Sequence, residues 1–142
     1  MGSFNLARFR EAQAGAFEAA REELRAGRKR SHWMWFMFPQ LRGLGASAMS
    51  QTFGLACRAE AEAYLADPVL GPRLIELFEI LLSREGLTAR QIFGAPDDLK
   101  LRSCATLFAA ISGGAPPFAT ALDRFFAGEA DARTLAMLEG GG

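Results

Sequence analysis

Three consecutive cations, Arg28, Lys29 and Arg30, and the chain's single histidine, His32, stand directly before six consecutive large apolar residues in the stretch GRKRSHWMWFMFPQ (27–40). Both sides of that junction carry chemistry. Lysine and arginine hold phosphate or carboxylate groups. Ser31 is placed to N-cap a short helix, whose free backbone N–H groups favour the same anions. Trp33 and Trp35, with Phe36 and Phe38, offer a flat wall for a base or a sugar, or else form core. Histidine is the side chain that changes charge nearest neutral pH. His32 is therefore a candidate general acid or base, the alternative being a hydrogen-bonded structural residue. Gln40, after Pro39, is an amide in apolar surroundings that needs buried partners or fixes the turn.

A second set of ionisable groups lies in residues 96–111, PDDLKLRSCATLFAAI. Drawn as a helix at about 100° per residue, Cys104, Leu107, Phe108 and Ile111 define an inward face. The same line carries Asp97 and Lys100, while Asp98 and Arg102 point away. An unpaired charge turned inward is costly. Asp97 and Lys100 therefore bond to each other, bond to other groups, or line a wet cleft. Asp97 also complements the helix dipole, and Lys100 can run its stem out to water. A Ser–His–Asp arrangement is formally available from Ser31 or Ser103 with His32 and Asp97, but no G-x-S-x-G turn marks it.

These groups must be positioned by helices. Residues 4–26 predict one helix with Leu6, Phe9, Ala16, Phe17, Ala20 and Leu24 on a single face, closed by Gly27. Gln13 sits in the middle of that apolar stripe. Residues 33–38 predict a short helix, apolar all round and so surrounded by protein, ending at Pro39. LRGLGAS (41–47) reads as a turn-rich connection. One or two short helices follow over 47–66, then one from Pro72. Thr88 and Gln91 form a capping-box pattern opening a helix that stops at Gly94. Helices from Pro96 to Ile111, Pro117 to Ala127 and Asp131 to Leu138 complete the chain. No alternating β-branched run predicts a strand. The expected fold is all-α, one compact domain over residues 1–142 with seven to nine mostly short helices and a frayed tail at 137–142.

Composition narrows the function classes. Half of the 142 residues are apolar, 12 are Phe, and 16 basic residues balance 16 acidic ones. A neutral globular chain is a poor general nucleic-acid or anionic-membrane binder, and no stretch has the length and apolarity of a membrane span or signal core. Cys57 and Cys104 fall in no metal-ligand spacing and read as reduced, buried thiols, so neither a metal nor a cofactor is expected. The expected location is the cytoplasm, as monomer or homodimer.

Four segments in order, RFREAQ, ELRAGRKRSHWMWFMFPQLRGLG, EAEAYLADPVLGPRL and IFGAPDDLKLRSCATLF, resemble, nearly end to end, the bacterial domain-of-unknown-function family 1810. Genome annotation has sometimes labelled that family calpastatin, a label that implies a disordered polar inhibitor and does not suit this apolar composition. The resemblance implies a small single-domain all-α protein. It marks Gln13, Lys29, Ser31, His32, Trp33, Trp35, Gln40, Asp97, Lys100 and Ser103 as motif positions. Phe53 stands where the usual motif has Tyr, and Asp67 where it commonly has His. The resemblance implies no reaction.

Two functions are compatible with these residues. One is a pocket for a small anionic ligand, nucleotide- or ADP-ribose-like, bound by Gln13, Lys29, Ser31, Trp33, Trp35, Gln40, Lys100 and Ser103. If chemistry follows, Asp97 and His32 would act as acid and base in hydrolysis of a glycosidic or phosphoester bond. The other is a non-catalytic interaction or regulatory module with an exposed apolar patch. Both the pocket and its chemistry require the polar groups to meet around one recess.

Overall fold

The computed structural model describes residues 4–140. Among them are ten α-helices: α1 (Ala7–Ala14), α2 (Phe17–Arg25), α3 (Met34–Met37), α4 (Ala48–Phe53), α5 (Arg58–Ala66), α6 (Leu70–Ser83), α7 (Ala89–Phe93), α8 (Asp97–Ile111), α9 (Phe118–Phe126) and α10 (Ala132–Glu139). The all-α class is as expected and the helix count is slightly higher. One isolated bridge joins Leu41 and Leu55.

The extra helix comes from a break in the expected 4–26 segment. The chain tightens at Ala14–Gly15–Ala16, where Ala16 N–H donates to Gln13 O at 3.0 Å and Ala16 takes a non-helical φ of −128°. Glycine is a weak helix former, and the break lets two apolar faces diverge. α1 packs on α3 and buries Phe9 against Phe53 and Tyr64, while α2 packs on α6 and buries Ala20 and Leu24. The remaining boundaries follow their local signals. Thr88 and Gln91 make both capping-box bonds, Ser47 caps α4, and Asp131 caps α10. Met137 to Glu139, expected as tail, are the last turn of α10, and residues 141–142 lie outside the described residues.

α3 and the residues that flank it are largely buried. Trp33, Met34, Phe36, Met37 and Phe38 are buried. A continuous file of rings runs through the core from Trp33 by way of Phe38, Phe78, Phe118, Phe108 and Tyr64 to Phe9, with successive centroids 5.0–6.0 Å apart. Tilted and edge-on pairs of this kind each add about 0.5–1.5 kcal/mol beyond area burial. The six-residue apolar run is therefore core, except for Trp35, which is half-buried at the surface.

Close approach elsewhere depends on missing side chains. Gly71 in α6 lies against the end of α5, where an added Cβ would sit 2.1 Å from Leu65 O. A buried ion pair, Arg8 to Glu60 at 2.9 Å, ties α1 to the start of α5. Glu60 also accepts from Ala56 N–H, and Arg8 donates to Thr52 O and Gly54 O. These bonds hold the 52–56 connection that forms one wall of the site.

Candidate functional site

The site begins where α2 ends. Gly27 adopts φ +82°. Its N–H donates to Leu24 O and that of Arg28 to Glu23 O, the paired bonds of a glycine-terminated helix. The chain then runs past α7, with Lys29 N–H donating to Ile92 O at 2.7 Å. This fixes the Lys29 side chain over the first turn of α8. Its Nζ lies 3.0 Å from Asp97 Oδ2, and Lys100 Nζ lies 3.1 Å from Asp97 Oδ1. One carboxylate thus holds two ammonium groups, one on each oxygen. Each lysine also faces a tryptophan: Lys29 Nζ is 5.1 Å from the Trp33 ring centroid and Lys100 Nζ 4.8 Å from that of Trp35. Cation–π contacts at this range add about 0.5–2 kcal/mol.

Ser31 does not cap α3. The residue before α3 is Trp33, with no side-chain cap, and Ser31 instead serves Glu23. The Glu23 carboxylate accepts from the Ser31 hydroxyl, from the N–H groups of Arg30 (2.7 Å) and Ser31 (3.0 Å), and from the Trp33 indole N–H (3.0 Å). The expected anion cradle at Ser31 exists, but an internal carboxylate fills it. Burial works against the Glu23 charge, yet these four donors outweigh it and hold the carboxyl below its ordinary range. Glu23 was not singled out in the sequence. It is one of several glutamates on α2, and nothing in its spacing announces a bond eight residues onward.

Beyond Lys100 the surface opens into two adjacent recesses. A narrow slot of about 10 Å³ lies among Trp35, Phe38, Gln40, Met49, Phe53 and Lys100. Next to it, sharing Gln40 and Lys100, is a cleft of about 270 Å³ between the 40–45 connection and the starts of α8 and α10. Leu44, Leu99, Ser103, Asp131 and Arg133 are also in its lining. Ser103 Oγ donates to Leu99 O within α8. The Gln40 side chain makes no hydrogen bond among the described residues. Arg133, which reaches Gly43 O at 3.4 Å, comes from the last helix and carried no sequence signal.

The structure therefore gathers Lys29, Trp33, Trp35, Gln40, Asp97, Lys100 and Ser103 into one neighbourhood. It does not gather the other three. Gln13 is buried against the far side of α3. Its Nε2 donates to Phe36 O (2.7 Å) and faces Tyr64 Oη (3.0 Å), and its Oε1 accepts from Arg73 (3.3 Å). It is a satisfied core amide. Burial there pushes the Tyr64 phenol well up. His32 is exposed, lines neither recess, and makes no side-chain hydrogen bond among the described residues. Ser31 is occupied by Glu23. Phe53, at the position where the resemblance leads one to expect Tyr, is a wall of the slot. Asp67, where His is common, accepts from Val69 and Leu70 N–H at the start of α6 and pairs with Arg10 at 2.6 Å.

The family described as "Protein of unknown function (DUF1810)" matches residues 3–138. The chain belongs to this family. A solved relative, the conserved hypothetical protein Rv1873 from Mycobacterium tuberculosis, is 48% identical, superposes with a TM-score of 0.94, and matches over 96% of this chain and 97% of its own. No curated protein matches the chain. Among the described residues no helix is long and apolar enough to cross a membrane.

Proposed function

We propose that the protein binds a small anionic ligand in the cleft between the 40–45 connection and the starts of α8 and α10. The observation that carries this reading is Lys100. Its ammonium fronts both recesses and is held in place by Asp97 on one side and the Trp35 ring on the other. Arg133 supplies a second cation and Gln40 an amide, while the Ser103 hydroxyl, which donates to Leu99 O, lines the wall. Asp131, a carboxylate in the lining, already accepts from the N–H and the hydroxyl of Thr134. An entering anion meets two cations and one carboxylate, whose Oδ2 is turned to Thr134.

Size and chemistry refine the ligand class. The slot has room for about one water, so Trp35 and Phe53 act as a wall and not as a pocket for a base. The cleft's 270 Å³ stands just below the ~300–1,000 Å³ of drug-sized sites. A sugar phosphate, or the phosphate end of a mononucleotide, fits it better than an ADP-ribose-sized molecule. Hydrolysis finds less support. Both Asp97 oxygens face ammonium groups, and His32 stands outside the cleft. The reading is binding without a chemical step.

The interaction-module reading asks for an exposed apolar patch. Among the described residues the exposed large hydrophobics are Val69, Leu99 and Leu135, on three different segments, and Leu99 belongs to the cleft.

A thermal-shift panel of sugar phosphates and nucleotides tests the proposal. A ligand at about 100 times its Kd adds roughly 2.7 kcal/mol of apparent stability. Lys100→Gln and Arg133→Gln should each remove that gain. A flat panel, or a gain untouched by both substitutions, rejects the cleft.

A further inference from the structure

We infer a second anion site, for a phosphate group, in the groove of about 330 Å³ on the Lys29 side of Asp97, where Arg28, Lys29 and Arg90 front the backbone turn at Ile92–Gly94. The groove is built by the same turn that positions Lys29. The Lys29–Ile92 backbone bond brings residues 28–29 against α7. The capping box engages Gln91 Oε1, and Arg90 is the charged side chain of that helix. Gly94, at φ +75°, has no atom within 4 Å of the place a Cβ would take, so the floor is open.

Lys29 is paired with Asp97, but the two arginines of this groove have no local compensation. Arg28 and Arg90 are exposed, and neither makes an ion pair or a side-chain hydrogen bond among the described residues. No carboxylate lines the groove. Glu23 is engaged by the donors of residues 30–33, and Asp97 by Lys29 and Lys100. Cations sharing a recess repel one another until an anion joins them. A phosphate presents three oxygens and can accept from two guanidinium groups and an ammonium at once, whereas a single carboxylate satisfies one fork. That difference selects phosphate, either free or carried on a small metabolite. The zero net charge of the chain disfavours the phosphate backbone of a nucleic acid.

This site is distinct from the cleft: the two share no lining residue. They share Asp97, whose Oδ2 faces the groove lysine and Oδ1 the cleft lysine. Asp97→Asn should therefore tighten phosphate binding at the groove by freeing the Lys29 ammonium.

Calorimetric titration of the full chain with inorganic pyrophosphate, and in parallel with ribose 5-phosphate, tests the inference. Saturable pyrophosphate binding is expected, weakened about tenfold by Arg28→Gln or Arg90→Gln and unchanged by Arg133→Gln. Tighter binding of ribose 5-phosphate that is lost in the same two variants assigns a carried phosphate; equal or weaker binding assigns a free one. Both arginines are exposed, so folding survives either change, and circular dichroism verifies it. No saturable binding overturns the inference. So does an affinity unchanged in the Arg28→Gln/Arg90→Gln double variant, or loss in Arg133→Gln. Binding of a short RNA duplex without binding of pyrophosphate also overturns it.

Discussion

Lys29 and Lys100, far apart in sequence, are held by opposite oxygens of Asp97, at 3.0 and 3.1 Å. The lysine side chains are 9% and 22% exposed and that of Asp97 19%, so the triad is neither a surface pair nor a dry one. Removing the carboxylate leaves two neighbouring cations without their shared partner. Asp97→Asn should lower stability by about 1–2 kcal/mol, between the values for exposed and buried pairs. Urea denaturation would measure it. A folded Asp97→Asn protein with altered ligand response supports a site, whereas a protein that no longer folds would make the triad purely structural.

Glu23 contributes to acid stability. Its carboxyl is depressed, so below the ordinary value the unfolded chain binds more protons than the folded one. Its contribution is complete above about pH 4.5 and is lost as pH falls through the lower folded-state value. Asp67, depressed against the cost of burial by the N–H groups of Leu70 and Val69 and by Arg10, acts in the same direction below its ordinary 3.8. Thermal melts from pH 7 to pH 3 should show a falling Tm in the acid range. Glu23→Gln should lower stability at pH 7 by about 2 kcal/mol, the worth of a hydrogen bond to a charged group. It should also flatten the acid limb. An unchanged acid limb would locate the sensitivity elsewhere.

Much of this architecture was legible in the sequence because its signals are local. The Thr88–Gln91 capping box, Gly27 after α2, Pro39 after α3 and the Asp97–Lys100 line on α8 each depend on residues within a turn or two. The misreadings involve longer range. Gln13 and Lys100 look alike on a helical wheel, each a polar residue in an apolar stripe. The difference is what faces them: Phe36 O, Tyr64 and Arg73 surround Gln13, while Lys100 fronts open space. Ser31 has the composition of an N-cap, but the donor needs of Glu23 outcompete that role. Arg133 joins the cleft through the packing of α10 on α8, which no local pattern encodes.

The turn that presents Lys29 rests on Gly27. At φ +82° an L side chain is strained, and a Cβ there would lie 2.7 Å from Leu87 Cδ1. Gly27→Ala should cost about 1–2 kcal/mol from the left-handed backbone, plus whatever shift Leu87 makes. Because Arg28 and Lys29 follow directly, the same substitution should weaken pyrophosphate binding at the groove. Chemical denaturation and titration on one preparation would measure both. Loss of stability with unchanged binding would show that the groove tolerates a rearranged turn.

Gln13 provides the converse test. It was expected at the ligand, yet its amide is spent inside the core on Phe36 O, Tyr64 and Arg73. Gln13→Leu removes these bonds and leaves the buried Tyr64 hydroxyl and the Phe36 carbonyl without partners, at about 1–3 kcal/mol for each stranded group. Tyr64→Phe, which removes the hydroxyl together with its need for a partner, should cost less. Neither change should alter the affinity of a cleft ligand, because Gln13 lies behind α3 while the cleft is lined from the 40–45 connection, α8 and α10. Denaturation midpoints and ligand titrations on Gln13→Leu, Tyr64→Phe and Lys100→Gln would separate the two roles: stability loss without binding loss for the first two, binding loss with little stability change for the third. A ligand whose affinity falls in Gln13→Leu at constant fold would return Gln13 to the site.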